Sequence, residues 1–171
     1  MRAGGSSEKG GKFERESSRR LSLWVTQGRR DDIFWRSSTS GARATVQLRK
    51  GIVNLSQSGD ISAIDPEGYE FIRTTFVEMK HRKDLSIDRG IVCGTGDLAN
   101  FWRRAVEEAA KYGKRPLLVA RQNLYPTLAI TSHDGEAVFD AEPMIVLNNW
   151  RASVHLFDEV TRVRVPMRRR T

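Results

Sequence analysis

The run Pro116-Leu-Leu-Val-Ala120 constrains this chain more than any other stretch. Five residues without a polar side chain make a strand that has to be covered on both faces, as an interior strand of a parallel or mixed sheet is. Ahead of it lies an amphipathic segment, Leu98 to Tyr112. Phe101, Trp102, Ala105, Val106, Ala109 and Tyr112 form one side of that segment, and Arg103, Arg104, Glu107, Glu108 and Lys111 form the other. Asp97 is placed to cap its start and Gly113 to close it. Earlier still, Phe71 to Lys80 is rich in strand formers. Strand, helix and strand in that order predict a right-handed β-α-β crossover with parallel strands. The chain is therefore expected to be one α/β domain, a central mixed sheet flanked by helices.

The flanks fill out this frame. A first helix is expected from Gly11 to a stop at Gly28, with Phe13, Leu21, Trp24 and Val25 on its apolar stripe. Residues 1–10, all Gly, Ser and charge apart from Met1 and Ala3, read as a mobile basic N-terminus; 11–163 read as the domain and 164–171 as a basic tail. Asp84 to Gly96 reads as irregular. Thr127–Thr131 and Ala137–Phe139 read as strands joined at His133-Asp134-Gly135, Met144–Leu147 as a strand, and Ala152–Val160 as a short helix.

The chemistry concentrates between Gly59 and Lys80. Ile61, Ala63 and the run from Phe71 to Met79 predict a hairpin turned at Pro66-Glu67-Gly68. Glu78 and Lys80 stand two apart on the return strand and so share a face, while Val77 and Met79 point into the packing. The opposing strand can bring Asp60 up to that pair. Two carboxylates and an ammonium at a sheet edge can hold a hard divalent cation and activate a water beside it. Half-buried strands also expose Glu-x-Lys as an ordinary polar face. The placement of Gly59-Asp60 ahead of it, and of His81-Arg82-Lys83 after it, favours the catalytic reading. Glu14, on the first helix, is either a carboxylate favoured by the helix dipole or a further member of this cluster.

Charge points to a polyanion. Residues 1–50 carry 12 Lys/Arg against 5 Asp/Glu and residues 151–171 carry 6 against 2, whereas 51–150 carry 11 against 14. Basic flanks around an acidic centre suit a protein that grips nucleic acid and keeps carboxylates for metal. The segment Arg29 to Thr45 supplies phosphate donors in Arg29, Arg30, Arg36, Ser37, Ser38, Ser40 and Arg43 around Gly41, and Arg82 and Lys83 add to them. Phe34 and Trp35 either stack on bases or anchor this segment to the core.

Other patterns carry less. Gly94-Thr-Gly96-Asp-Leu-Ala99 fits a dinucleotide fingerprint, but the strand before it would be only Ile91–Cys93 and no acidic residue stands about twenty positions on. The single Cys93 allows no internal disulfide and has no His pattern around it, and His81, His133 and His155 lack metal-site spacing. Asn54-Leu-Ser56 matters only on a secretory route, and Arg168-Arg169-Arg170 either touches DNA or is a solvated tail. With no signal-like segment and no apolar run of spanning length, a cytoplasmic protein without a membrane or organic cofactor is expected.

Gly59-Asp60 followed, eighteen positions on from Asp60, by Glu78-Met79-Lys80 resembles the PD-(D/E)xK nuclease superfamily, with Gly59 where a proline often stands. Phe13-Glu-Arg-Glu16, then Arg36-Ser-Ser-Thr-Ser-Gly-Ala-Arg43, then the Asp and Val-Glu-Met-Lys is similar to archaeal-type Holliday-junction resolvases and related phage endonucleases. The resemblance covers roughly residues 11–131. It implies a restriction-endonuclease-like core, Mg2+ or Mn2+ held by Asp60, Glu78 and the Met79 carbonyl, and Glu14 completing the cluster directly or through a water. Lys80 would orient or help deprotonate the attacking water, and Arg15, Arg36 and Ser40 would contact DNA phosphate. A homodimer acting on branched DNA in recombination, in the host cytoplasm if phage-encoded, follows by the same analogy. A catalytically degenerate DNA-binding or packaging accessory of the same fold is the alternative. The segment between the first helix and Asp60 is longer than in compact resolvases, and the last forty residues have no counterpart.

Overall fold

The computed structural model describes residues 5–37 and 57–163. Helix α1, Gly5–Val25, is longer than its apolar stripe alone predicts, and it takes in Gly5 to Gly10, expected to lie outside any element. Phe13 and Leu21 are buried, and so are Ser17 and Ser18 between them and Ser22 just after. Those serines tolerate burial where their hydroxyls return to the carbonyl one turn back, Ser18 Oγ to Glu14 O at 2.7 Å and Ser22 Oγ to Ser18 O at 2.9 Å. Gly28, with φ +85°, ends the segment as expected: its N–H reaches back to Leu23 O at 2.7 Å.

Two sheets follow. The larger has the order β4-β5-β6-β8-β7, built from β4 (Thr75–Arg82), β5 (Arg115–Gln122), β6 (Leu128–Ser132), β7 (Ile145–Leu147) and β8 (Ala152–Leu156). Strands β4 and β5 are parallel, in the register Glu78 to Leu118 and Lys80 to Ala120, and the remaining pairs are antiparallel. The expected parallel crossover is present, and the domain is an α/β fold with a five-stranded mixed sheet flanked by helices, consistent with a restriction-endonuclease-like core. Successive residues of β5 feed opposite cores. Leu117 and Val119 meet Phe13 and Leu21 of α1 with Val77 and Met79; Leu118 and Ala120 meet Leu98, Trp102 and Ala105 of the long helix (Asp97–Lys111) on the other side. That two-sided burial is what the unbroken apolar run Leu117–Ala120 requires.

The smaller sheet, order β1-β3-β2, is antiparallel: β1 (Phe34–Arg36), β2 (Gln57–Ser58) and β3 (Ile61–Ala63). Here the expected hairpin fails. β3 does not pair with β4, because a 3-10 turn (Pro66–Gly68) and a helix α2 (Tyr69–Thr74) intervene. Asp65 caps that turn by accepting the Glu67 N–H at 3.0 Å. Phe71, read as a strand residue, packs instead on Trp24 and Phe34 with ring centroids 5.8 and 5.4 Å apart. Tertiary burial has overridden local strand preference.

Other expectations give way for similar reasons. Asp84 to Gly96 is not irregular but holds helix α3 (Ile87–Cys93), which puts Ile87 into the second core. The long helix, α4, is preceded by Gly96 (φ +94°) at the capping position, with Asp97 its first residue and no side-chain cap. Ala137–Phe139 forms no strand; Phe139 is buried beside Trp24 and His155, at centroid distances of 5.0 and 5.7 Å. Ala152–Val160 is strand β8 followed by a short helix α5 (Phe157–Val160), since β6 offers an open edge to Ala152–Leu156.

Among the described residues one isolated bridge links the two sheets, a parallel pairing of Gly59 with Val77. Gly59 has φ +68°, and a Cβ added there would lie 2.0 Å from Val77 O. Gly59→Ala should therefore cost about 3 kcal/mol or more, from a left-handed backbone and a backbone clash together. Urea unfolding measures this, and a loss under about 0.5 kcal/mol, the size of an ordinary surface substitution, would contradict the seam.

Candidate active site at the seam of the two sheets

Among the described residues β4 is an edge strand of the larger sheet, and beyond the Gly59–Val77 bridge the outer side of its backbone has no strand partner. Asp60 takes up those groups. Its N–H donates to Val77 O at 2.8 Å and its Oδ2 accepts the Met79 N–H at 2.7 Å. Its own carbonyl accepts from Ser37 N at 2.8 Å, which ties β1 into the same knot. Asp60 is 7% exposed.

Glu78 and Lys80 share the face of β4 that Val77 and Met79 do not use, as expected, and the Lys80 ammonium is ion-paired with Glu78. The Lys80 Nζ also sits 5.6 Å from the centre of the Phe101 ring, with the Arg82 guanidinium 6.0 Å from the same ring. Burial and the neighbouring negative charge of Glu78 push the Asp60 carboxyl up to about 7, against the pull of Lys80 and the Met79 N–H. For Lys80, burial lowers the pKa, but Glu78, Asp60 and Glu14 together outweigh it and hold the group above its ordinary value. It is a firmly protonated cation.

Glu14 is near enough to bias both groups, yet its carboxylate is paired with Arg36, Nε to Oε2 3.4 Å. Among the described residues no three Asp, Glu, His or Cys side chains converge as a ready-made metal cage. Glu78 is turned onto Lys80 and Glu14 onto Arg36.

The arginines divide. Arg36 and Arg15 both lean over Gly11: a Cβ there would lie 2.6 Å from Arg36 Nη1 and 3.5 Å from Arg15 Nη1. Two guanidiniums over one bare patch of helix leave donors to spare for an anion. Arg29 and Arg30 are tied instead to the turn after β3, Arg29 to Glu67 at 2.5 Å and Arg30 to Asp65 at 2.5 Å and Asp32 at 2.9 Å. Arg82 and Lys83 are exposed at the end of β4. Ser38, Ser40, Gly41 and Arg43 lie outside the described residues, as does Arg168-Arg169-Arg170. Phe34 is core and anchors this segment, whereas Trp35 is 56% exposed. The fingerprint at Gly94 follows a helix, not a strand, and so lacks the context that would give it meaning. Cys93 is an exposed free thiol.

Lys114 escapes any reading of the sequence. It donates to Ile72 O at 2.7 Å and to Ser58 Oγ at 3.0 Å, and Ser58 Oγ in turn donates to Thr75 O at 2.7 Å. Burial pushes Lys114 down to about 8. It steadies the strand that leads into Gly59-Asp60, and nothing in Lys-Tyr-Gly-Lys after a helix announces that. Phe101 was legible only as one more apolar residue of α4.

Among the described residues no helix is long and apolar enough to cross a membrane. No curated protein and no solved structure matches the chain. Residues 5–158 match the model of a family described as "phage putative PDDEXK endonuclease", from the start of α1 into α5, with Asp60, Glu78 and Lys80 inside the match. The chain belongs to this phage PDDEXK endonuclease family.

Proposed function

We propose that the protein is a metal-dependent endodeoxyribonuclease that hydrolyses phosphodiester bonds of branched or otherwise structured DNA, with a four-way junction as one candidate substrate. The observation that carries this reading is the hydrogen bond of Asp60 with the Met79 N–H. It sets a buried carboxylate beside Glu78 and Lys80 on the outer strand of the larger sheet. The donor set fits a hard divalent cation: Asp60 is held up to about 7 partly by Glu78, and a divalent charge between them would relieve that repulsion. Asp60, Glu78 and the Met79 carbonyl would hold it, with Glu14 reaching it directly or through a water. Bound there, Mg2+ or Mn2+ would stabilise charge on the scissile phosphate and lower the pKa of the attacking water. Lys80, protonated, orients that water and donates to the phosphoryl oxygen that gains charge. Arg15 and Arg36 take the backbone phosphate. A two-fold dimer would offer two such centres to paired strands.

One observation favours the alternative, a DNA-binding accessory without catalysis: Glu78 and Glu14 are both ion-paired, with no open cage between them. Cleavage assays on junction, flap, duplex and single-stranded DNA with Mg2+, against EDTA, separate the two. Asp60→Asn, Glu78→Ala and Lys80→Ala are each expected to lower cleavage by at least about a hundredfold while DNA affinity stays. Wild-type cutting by Glu78→Ala or Lys80→Ala would falsify this centre.

Arg15→Gln and Arg36→Gln should weaken binding to every DNA form alike. Each should reduce the slope of log K against log salt by about 0.9 for every phosphate that the variant no longer neutralises. An unchanged slope in titrations between low and physiological salt would remove these two residues from the interface.

The Asp60 carboxyl also makes stability depend on pH. Its folded pKa lies above the unfolded value near 4, so the native state keeps a proton that the unfolded chain has released. That contribution is fully present below about pH 4 and is lost as pH rises through about 7, by on the order of 4 kcal/mol. Asp60→Asn, measured by urea unfolding without divalent ions, should gain on wild type between pH 5 and pH 8. An equal difference at both pH values would mean that Asp60 ionises normally.

A further inference from the structure

The connection between β5 and β6 is fixed on several sides. Asn123 N–H donates to Arg82 O at 3.3 Å, and Asn123 Oδ1 meets His81 Nε2 at 3.2 Å. Gln122 Oε1 accepts Leu85 N–H at 2.7 Å, Tyr125 N–H returns to Gln122 O at 3.2 Å, and Tyr125 OH donates to Asp88 at 2.8 Å. At the tip of this braced turn stands Leu124, 104% exposed and with φ +67°. A single exposed leucine is ordinary. A leucine held in a left-handed conformation, where glycine or asparagine would sit more easily, is not. Among the described residues nothing covers the side chain to offset that strain, which is what a contact with a partner would do.

Where the turn sits identifies the partner. Lys80 is paired with Ala120 and Arg82 with Gln122, so Leu124 extends past the end of β4 that carries Lys80. Exposed Arg82 and Lys83 flank it. The acidic groups on that side are engaged, Asp88 by Tyr125 OH and Asp84 by Ser86 N–H. Four residues beyond Ala120, at about 3.3 Å each, put Leu124 within roughly 13 Å of the Lys80 register. On one DNA strand that is about two to four nucleotides.

We propose that Leu124 is a wedge, inserting between bases of bent or branched DNA two to four nucleotides from the phosphate at Lys80 while Arg82 and Lys83 hold the adjoining backbone. An apolar side chain between base steps unstacks them and favours DNA that is already kinked or open. This rests on the nuclease reading above and adds to it a determinant of substrate shape.

The test uses the full chain in EDTA with four-way and bulged DNAs carrying 2-aminopurine at successive positions, together with Mg2+ cleavage of the same DNAs. Wild type should raise fluorescence at one position about two to four nucleotides from the cut phosphate. Leu124→Gly should lose that signal and bind branched DNA about tenfold more weakly. Its affinity for linear duplex should be unchanged, and its melting temperature unchanged or higher, because glycine suits this φ. Leu124→Phe should keep the signal. The wedge is overturned if DNA is bound and cut but the fluorescence change is absent or survives Leu124→Gly. It is equally overturned if Leu124→Gly alters only the protein's mass in solution, which would assign the side chain to a second copy. A wild type that binds DNA without cutting it sinks the nuclease reading and leaves the wedge to its fluorescence; one that does not bind DNA sinks both.

Discussion

A carboxylate oxygen accepting a backbone N–H on the open side of an edge strand is the interaction on which the rest of this structure depends. Strand β4 has β5 on one side and, on the other, unsatisfied peptide groups that either find partners or stay wet. Asp60 supplies both kinds of partner, donating from its backbone to Val77 O and accepting with its side chain from Met79 N. The smaller sheet is thereby docked to the larger through Asp60 and its glycine neighbour, with Ser58 Oγ adding a hydrogen bond to Thr75 O. The same hydrogen bond settles the direction of the Asp60 side chain, so docking and chemistry share one group.

That economy has an electrostatic consequence. Burying a carboxylate beside Glu78 disfavours its charge, and the Lys80 ammonium and the Met79 N–H only partly offset this. The centre is left tuned around neutrality and short of positive charge. In the free protein every carboxylate near the seam has found a cation or donor: Glu78 has Lys80, Glu14 has Arg36, Asp60 has the Met79 N–H. Any cation entering the site competes with those pairs, and freeing Lys80 and Arg36 toward a phosphate would follow from the same exchange.

Around the seam, the supports come from distant parts of the chain. Lys114, at the far end of the crossover helix, reaches Ser58 and Ile72, and Ser58 reaches Thr75, so the approach to Gly59 is clasped from three elements. Phe101 of α4 lies beside Lys80 and Arg82. The crossover connection that makes the sheet parallel thus also delivers the groups that steady the edge carrying Glu78 and Lys80.

The amino-acid order by itself determined what depends on local pattern. Leu117–Ala120 demanded cover on two faces, the stripe of α4 supplied one cover, and the period of two on β4 put Glu78 beside Lys80 and away from Val77 and Met79. Those relations hold in any fold that buries the apolar residues, which is why they could be read directly. Only the tertiary structure decided how Asp60 meets them. Phe71 is a strand former that became helical because Trp24 and Phe34 offered it burial, and with it the expected hairpin became two sheets joined through Gly59. The ties of Lys114, the pairing of Arg30 with Asp65 and the stance of Leu124 likewise rest on interactions between residues far apart in the chain. Their energies come from burial and partner geometry, and no local window of sequence contains either.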